Sequence, residues 1–177
     1  MVPIITNDTI DCILNTYRSE LGENYASYRN HVYRVYNFAL TKLKPNEELE
    51  KLSIAAAFHD LGIWTNKTLD YLEPSAQLAR EYCRKLNLSS SDTNEVEIII
   101  KNHHKLSEVE SSVLAEVFRE ADLIDLTWGL VPKGRKKEDI QLIRSLFPNK
   151  GFHLFLIKLF AKNLIQNPKH PFPIFKL

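Results

Sequence analysis

The chain of 177 residues is 44% hydrophobic and 25% charged, with 5 glycines and 8 prolines, which suits one globular unit with a real core and excludes wholesale disorder or a fibrous repeat. Lys and Arg total 23 against 22 Asp and Glu, so no global field calls for a long polyanion such as nucleic acid. Cys12 and Cys83, the only cysteines, fall inside apolar helical patterns rather than at metal or redox spacing, which disfavours a disulfide scaffold and makes a reducing, cytoplasmic setting the expectation.

Helical periodicity runs along the chain. Ile10, Ile13, Leu14, Tyr17 and Leu21 predict a first amphipathic helix stopped by Gly22. Tyr28, His31, Val35, Phe38 and Ala39 mark the inner stripe of a second, which must end near Lys44 because Pro45 restricts its predecessor. A third spans Glu47 to His59, and Gly62 in the segment Asp60 to Trp64 offers a left-handed helix exit. Pro74 suits the first turn of a helix carrying Leu78, Ala79, Tyr82 and Leu86. Capping-box spacing at Asp92 and Glu95, and again at Ser107 and Glu110, announces two more helices. After a loop from Gly129 to Gly134 come a polar-faced helix through Phe147, a turn from Pro148 to Gly151 and a final apolar helix. Past Asn167 three prolines predict an extended tail. No alternating strand pattern or internal repeat stands out, so the expected fold class is an all-α bundle.

Asp8 and Asp11 stand where a secretory signal would carry its basic region, and no long apolar stretch follows, so a secretory signal is not expected. The late apolar stretch from Phe152 to Ile165 is interrupted by Lys158 and Lys162 and falls short of the roughly 20 residues that span a bilayer. No membrane partner is expected.

The chemistry concentrates in histidines and carboxylates on apolar helix faces. His31 lies on the inner stripe of the second helix, and His59, 28 positions on, closes the third beside Asp60, a separation that lets two antiparallel helices bring the imidazoles together. Asp122 interrupts an apolar surface formed by Val117, Phe118, Leu123 and Leu126, and a carboxylate there needs a partner because burying it alone is expensive. A divalent cation is a sufficient partner. The mixed nitrogen and oxygen donors suit Mn²⁺, Fe²⁺, Co²⁺, Ni²⁺ or Zn²⁺ better than Mg²⁺.

At this point the chain resembles the HD-domain metal-dependent phosphohydrolases. The match rests on His31 in His-Val-Tyr-Arg-Val, on His59-Asp60 in Ala-Ala-Ala-Phe-His-Asp-Leu-Gly and on Asp122 in Arg-Glu-Ala-Asp-Leu, and covers roughly Ser27 to Leu126. It implies an HD-like helical core at about 27–126 within a single domain, a helical extension at 135–166, and His31, His59, Asp60 and Asp122 as metal ligands. The string Ile-Ile-Ile-Lys-Asn-His-His-Lys around His103 and His104 is similar to a segment that supplies further ligands in binuclear members. Those members carry another histidine where this chain has Tyr71 ahead of Ser75-Ala76, a departure that argues for one firm metal, or for a second held weakly by His103 and His104. The glutamate that some nucleotidase-like members place after the His-Asp pair is replaced by Ile63.

The remaining expectations concern catalysis and substrate. Asp60, His103, His104 and Glu73 are the candidate acid-base groups, with the choice between the two histidines open. Arg34, one turn beyond His31, either holds a phosphate oxygen or orients Asp60 or Asp122. Lys67, Arg119 and the basic cluster Arg135, Lys136 and Lys137 are further candidate phosphate contacts. Phosphate-loop, Gly-x-Ser-x-Gly and cysteine-cluster signatures are missing. The expected activity is hydrolysis of a small phosphorylated or nucleotide-like molecule. A catalytically quiet ligand-binding or regulatory module and a di-iron oxygenase on the same scaffold are the alternatives, and a second copy of the chain is a candidate partner.

Overall fold

A computed structural model describes residues 2–43 and 49–167. Among these the secondary structure is entirely helical, as the periodicity predicts. The chain forms α1 (Asp8–Thr16), α2 (Arg18–Leu21), a 3₁₀ turn (Gly22–Asn24), α3 (Tyr25–Leu40), α4 (Leu49–Phe58), α5 (Gly62–Thr65), α6 (Leu72–Lys85), α7 (Ser90–Asn102), α8 (Val113–Leu126), α9 (Lys137–Leu146) and α10 (Phe152–Gln166). The expected turn at Pro45, the start of the third helix at Glu47 and the proline-containing tail lie outside the described residues.

Helix α3 is the axis of the molecule. It packs against α4, α8, α9 and α10, and its buried side chains include Tyr28, Val32, Tyr33, Val35 and Phe38 on several faces. A helix enclosed in this way cannot leave polar groups unpaired. Asn37 therefore exchanges hydrogen bonds with the backbone of Ile4, and Asn30 donates to the carbonyl of Pro148 at 2.7 Å. These bonds tie both the N-terminal segment and the turn between α9 and α10 to the central helix. Ile140, Ile143, Phe147, Phe152 and Leu156 of the extension join the same hydrophobic core.

Several local details differ from the sequence reading. The first helix breaks at Tyr17, separating α1 from α2. Helix α7 starts at Ser90 because Ser89 is its cap, accepting from the amide of Asp92, so Asp92 sits within the first turn rather than at the cap. Likewise α8 is capped by Ser112, which accepts from Ala115, and Glu116 reaches back to the amide of Val109. In each case the serine hydroxyl accepts from the amide three residues on and so satisfies an orphan amide of the first turn directly.

Gly62 has a different reason for being glycine than a left-handed exit. It begins α5 with its amide donating to Ser75 Oγ at 2.9 Å, and a Cβ there would lie 2.8 Å from the carbonyl oxygen of Tyr71 and 2.9 Å from Ser75 Oγ. The glycine thus permits α6 to close against the turn that carries the His-Asp pair. Gly62→Ala is expected to cost about 1–3 kcal/mol through overpacking and to lower the melting temperature by roughly 3–10 °C in calorimetry. An unchanged melting temperature would mean that this contact yields freely.

Candidate metal centre

Four elements converge on one buried point. Helix α3 contributes His31, the turn after α4 contributes His59 and Asp60, the end of α7 contributes His103 and His104, and α8 contributes Asp122 and Asp125. The run Ala55–Ala56–Ala57 is fully buried, and its small side chains let neighbouring helices approach α4 closely. After Phe58 the chain tightens into three-residue hydrogen bonds, Leu61 to Phe58 and Ile63 to Asp60, and this turn brings two successive side chains inward. His103 and His104 can both face the centre because they follow the last residue of α7, and their rings lie 3.9 Å apart.

The donor set is defined by tautomers. Nδ1 of His59 lies 2.8 Å from the carbonyl oxygen of Ala56, and Nδ1 of His103 lies 2.6 Å from that of Ile100. A carbonyl only accepts, so each Nδ1 carries the hydrogen and each Nε2 presents a lone pair. His31 Nδ1 is paired in the same way with Asp125 at 2.7 Å. The Nε2 atoms of His31 and His59 then face each other at 2.9 Å, with Asp60 Oδ2 at 3.4 and 3.5 Å from them. His103 Nε2 meets the other oxygen of Asp60 at 3.2 Å.

Lone pairs so close repel unless a cation lies among them. Asp122 sharpens the case: it is 1% exposed and neither of its carboxylate oxygens has a hydrogen-bond partner. Three imidazoles surround it, with His104 Nδ1 at 3.4 Å, His31 Nε2 at 3.7 Å and His59 Nε2 at 4.0 Å. Donors bound about 2.1 Å from a common divalent ion stand roughly 3–4 Å apart, so these separations fit coordination. Two ligand groups emerge, His31 with His59 and Asp60, and Asp60 with His103 and His104. Asp60 is shared between them.

The electrostatics report the same demand for positive charge. Burial opposes protonation of His31, but its bonds to Asp125 and Asp60 prevail and push its pKa up to about 9. His59 is driven down to about 3 by burial and by neighbouring imidazoles, although Asp60 opposes this. Burial would raise the Asp60 carboxyl, yet His59, His103 and His31 hold it well below the usual carboxylate range. Asp122, in contrast, is pushed up to about 7, chiefly by burial. A proton held near His31 is the substitute for a metal cation at the same point.

Two supporting residues carry the ligands from behind. Asp125 accepts from His31 and takes Nε and Nη2 of Arg34, while Arg34 Nη1 donates to the carbonyl of Phe147 at 2.9 Å. The ring of Phe152 stacks on His31 at a centroid distance of 4.1 Å. Neither Asp125 nor Phe152 was anticipated. Asp125 was detectable in principle, since it follows Asp122 by three residues and shares its helix face; Phe152 had no local signal.

Tyr71 is the third support. Its hydroxyl lies 2.8 Å from His104 Nε2, and it also interacts with Asp60. Burial keeps the phenol protonated far above its ordinary range, with Asp60 adding to the effect. Donation from Tyr71 to Asp60 and from His104 Nε2 to the phenol oxygen would leave His104 Nδ1 as a lone pair beside Asp122. Tyr71→Phe is expected to weaken metal binding about 10–100-fold in chelator competition, the usual effect of losing a ligand's orienting partner. Unchanged affinity would reduce Tyr71 to a packing residue.

Other expected site residues are placed elsewhere, and each case has a physical reason. Glu73, a candidate acid-base group, has a side chain 64% exposed and pairs with Lys101 at 2.9 Å and Arg80 at 3.5 Å, because the first turn of α6 faces α7. Arg34 is 1% exposed and its guanidinium is engaged by Asp125 and Phe147, so it orients a carboxylate, though not one of the two anticipated. Arg135 is buried, paired with Glu120 and bonded to the carbonyls of Phe38 and Val117. Lys136 and Lys137 are exposed at the start of α9, and Lys67 is exposed beside α10. Arg119 does border the centre, lining a pocket with His103, His104 and Asp122, and Glu116 holds its guanidinium.

Among the described residues no helix is long and apolar enough to cross a membrane. A family model described as HD domain matches residues 28–127. No curated protein and no solved structure matches the chain.

Proposed function

The chain belongs to the HD-domain family, and from that membership we propose that it is a metal-dependent hydrolase of a small phosphorylated substrate. The observation that carries the reading is the Asp122 carboxylate, buried without a hydrogen-bond partner beside imidazole lone pairs that share the Asp60 carboxylate. Residues His31, His59, Asp60 and Asp122 are the proposed ligands of a firmly held divalent ion. His103 and His104, with the second oxygen of Asp60, form a weaker position for another.

When bound, such an ion supplies a Lewis acid for a phosphoryl oxygen and makes water nucleophilic at neutral pH. The chain's own part is positional. Asp125 and the Ala56 and Ile100 carbonyls hold the imidazoles in the required tautomers. The buried walls exclude bulk water and strengthen every charge interaction inside. His104, kept neutral mainly by burial, and the protonated Tyr71 form the available proton-handling pair near the pocket. No serine or cysteine nucleophile is required, because phosphoryl transfer depends mainly on alignment and charge stabilisation.

Metal analysis of the purified chain should find a stoichiometric divalent metal, and a panel of phosphomonoesters and nucleotides assayed with Mn²⁺, Co²⁺, Ni²⁺, Zn²⁺ and Mg²⁺ should show phosphate release for a subset. A metal-loaded chain that hydrolyses none of them would point to the ligand-binding module. Two equivalents of iron with a redox-dependent absorption band would point to oxygen chemistry instead.

A further inference from the structure

The last carboxylate side chain in the sequence is Asp139. Residues 140–177 carry six cations, Arg144, Lys150, Lys158, Lys162, Lys169 and Lys176, while the rest of the chain holds 17 Lys and Arg against 22 Asp and Glu. The near-neutral whole thus conceals one strongly basic end, a distribution that favours contact with a polyanionic surface.

Helix α10 lies within that end. Its inner side is held by the rest of the molecule: Phe152 and Leu156 are buried, and Phe155 stacks on Trp64 at 5.2 Å. Its outer side is uncovered. With successive side chains about 100° apart, Leu154, Ile157, Ala161, Leu164 and Ile165 share one arc of about 100°. All five are exposed, Ile157 by 64% and Ile165 by 82%. Lys158 and Lys162 run along one border of this apolar stripe, and Lys150 precedes the helix. None of these three lysines makes an ion pair among the described residues. Beside the last turns of α10, Lys67 and Lys162 line a recess of about 170 Å³ with Thr68, Asn163 and Asn167 and no carboxylate. At roughly 30 Å³ per water, that space takes a phosphate group and a few waters.

The layout discriminates between occupants. A nucleic acid calls for cations at the centre of the face, where leucine and isoleucine stand. A second copy paired through α10 would set lysines against lysines, with no carboxylate on the helix to meet them. An anionic lipid surface accepts the apolar stripe at its acyl boundary and the lysines among its headgroups. A helix lying along the surface needs no spanning length, so the lack of a membrane-crossing helix does not oppose this contact.

We infer that α10 is the docking face for an anionic phospholipid surface, with Leu154, Ile157, Leu164 and Ile165 entering the acyl boundary and Lys67, Lys158 and Lys162 meeting headgroup phosphates. The inference does not rest on the hydrolase reading.

Flotation of the full chain with vesicles of phosphatidylcholine containing about 30 mol% phosphatidylserine should carry it with the lipid, and pure phosphatidylcholine vesicles should bind it about tenfold more weakly. The double variants Ile157→Asn/Ile165→Asn and Lys158→Glu/Lys162→Glu should each lose about tenfold or more on the anionic vesicles, with the wild-type melting temperature kept because all four side chains are exposed. Ile157→Val/Ile165→Val, which keeps the stripe apolar, should bind as wild type. Absence of the chain from the floated anionic vesicles, or undiminished binding of the asparagine variant, would overturn the inference. So would a wild-type dimer that the asparagine variant dissociates, which assigns the face to a second copy, or tighter binding to a DNA duplex than to the vesicles, which assigns it to nucleic acid.

Discussion

Asp60→Asn is expected to leave the helical fold in place and strip the protein of its metal, with phosphate release falling in step. Asp60 supplies one oxygen to His31 and His59 and the other to His103, so both ligand groups lose a charged donor in one substitution. Where four ligands together provide about 10–16 kcal/mol, each is worth about 3 kcal/mol, or at least a hundredfold in affinity. Chelator competition reads that loss directly, and a variant with wild-type metal content would defeat the ligand assignment. Asp122→Asn should lose metal similarly but differ in stability. In the metal-free protein the Asp122 carboxyl titrates near 7 against an ordinary 3.8, so the folded state holds more protons than the unfolded state and its stability falls as pH rises through that interval. An asparagine removes this penalty and can donate to a neighbouring imidazole. Metal-free Asp122→Asn should therefore melt roughly 5 °C above metal-free wild type at pH 8, with the gap closing toward pH 4. A gap independent of pH would show that the buried carboxylate is not its source.

Asp125→Ala should be the most damaging single change to the fold. It leaves the Arg34 guanidinium, 1% exposed, with only the Phe147 carbonyl and removes the partner of His31 Nδ1. Breaking a buried pair by deleting one member costs about 3–5 kcal/mol, since the remaining charge stays desolvated. The melting temperature should fall by roughly 10 °C or more, and metal affinity by about 10–100-fold as His31 loses its orientation. The Asp125 carboxyl is held far below its ordinary range: burial opposes ionisation, but Arg34 and His31 prevail. Its contribution is therefore complete above pH 3.8 and is lost only as pH falls toward the depressed value. The companion variant Arg34→Met, which leaves the carboxylate to His31 Nδ1 and to Arg144 at 3.5 Å, should be damaging near neutrality and less so in acid, as the carboxylate takes up a proton. Equal effects of Arg34→Met at pH 7 and at pH 2, below the ordinary carboxyl value, would exclude an electrostatic origin.

The fold class and the buried cluster of histidines and carboxylates were legible because both depend on short-range patterns. Apolar residues at three- and four-residue steps define helices without knowledge of their neighbours, and His31, His59, Asp60 and Asp122 stood out as polar residues on surfaces otherwise committed to a core. Glu73 and Arg135 are placed differently from the expectation for the complementary reason. A charged residue near a predicted loop looks available to a ligand, but Glu73 is paired across to α7 and Arg135 turns inward to carbonyls of α3 and α8.

By itself the sequence determined that this protein is helical and that its chemistry belongs to imidazoles and carboxylates, since periodicity and the cost of burying charge act locally. Tertiary structure alone decided that Asp60 faces two sets of histidines, that Tyr71 contacts His104, and that Phe147 and Phe152 from the extension steady Arg34 and His31. Those relations join residues tens of positions apart, and they arise because polar groups buried between packed helices must find their partners on whichever element lies beside them.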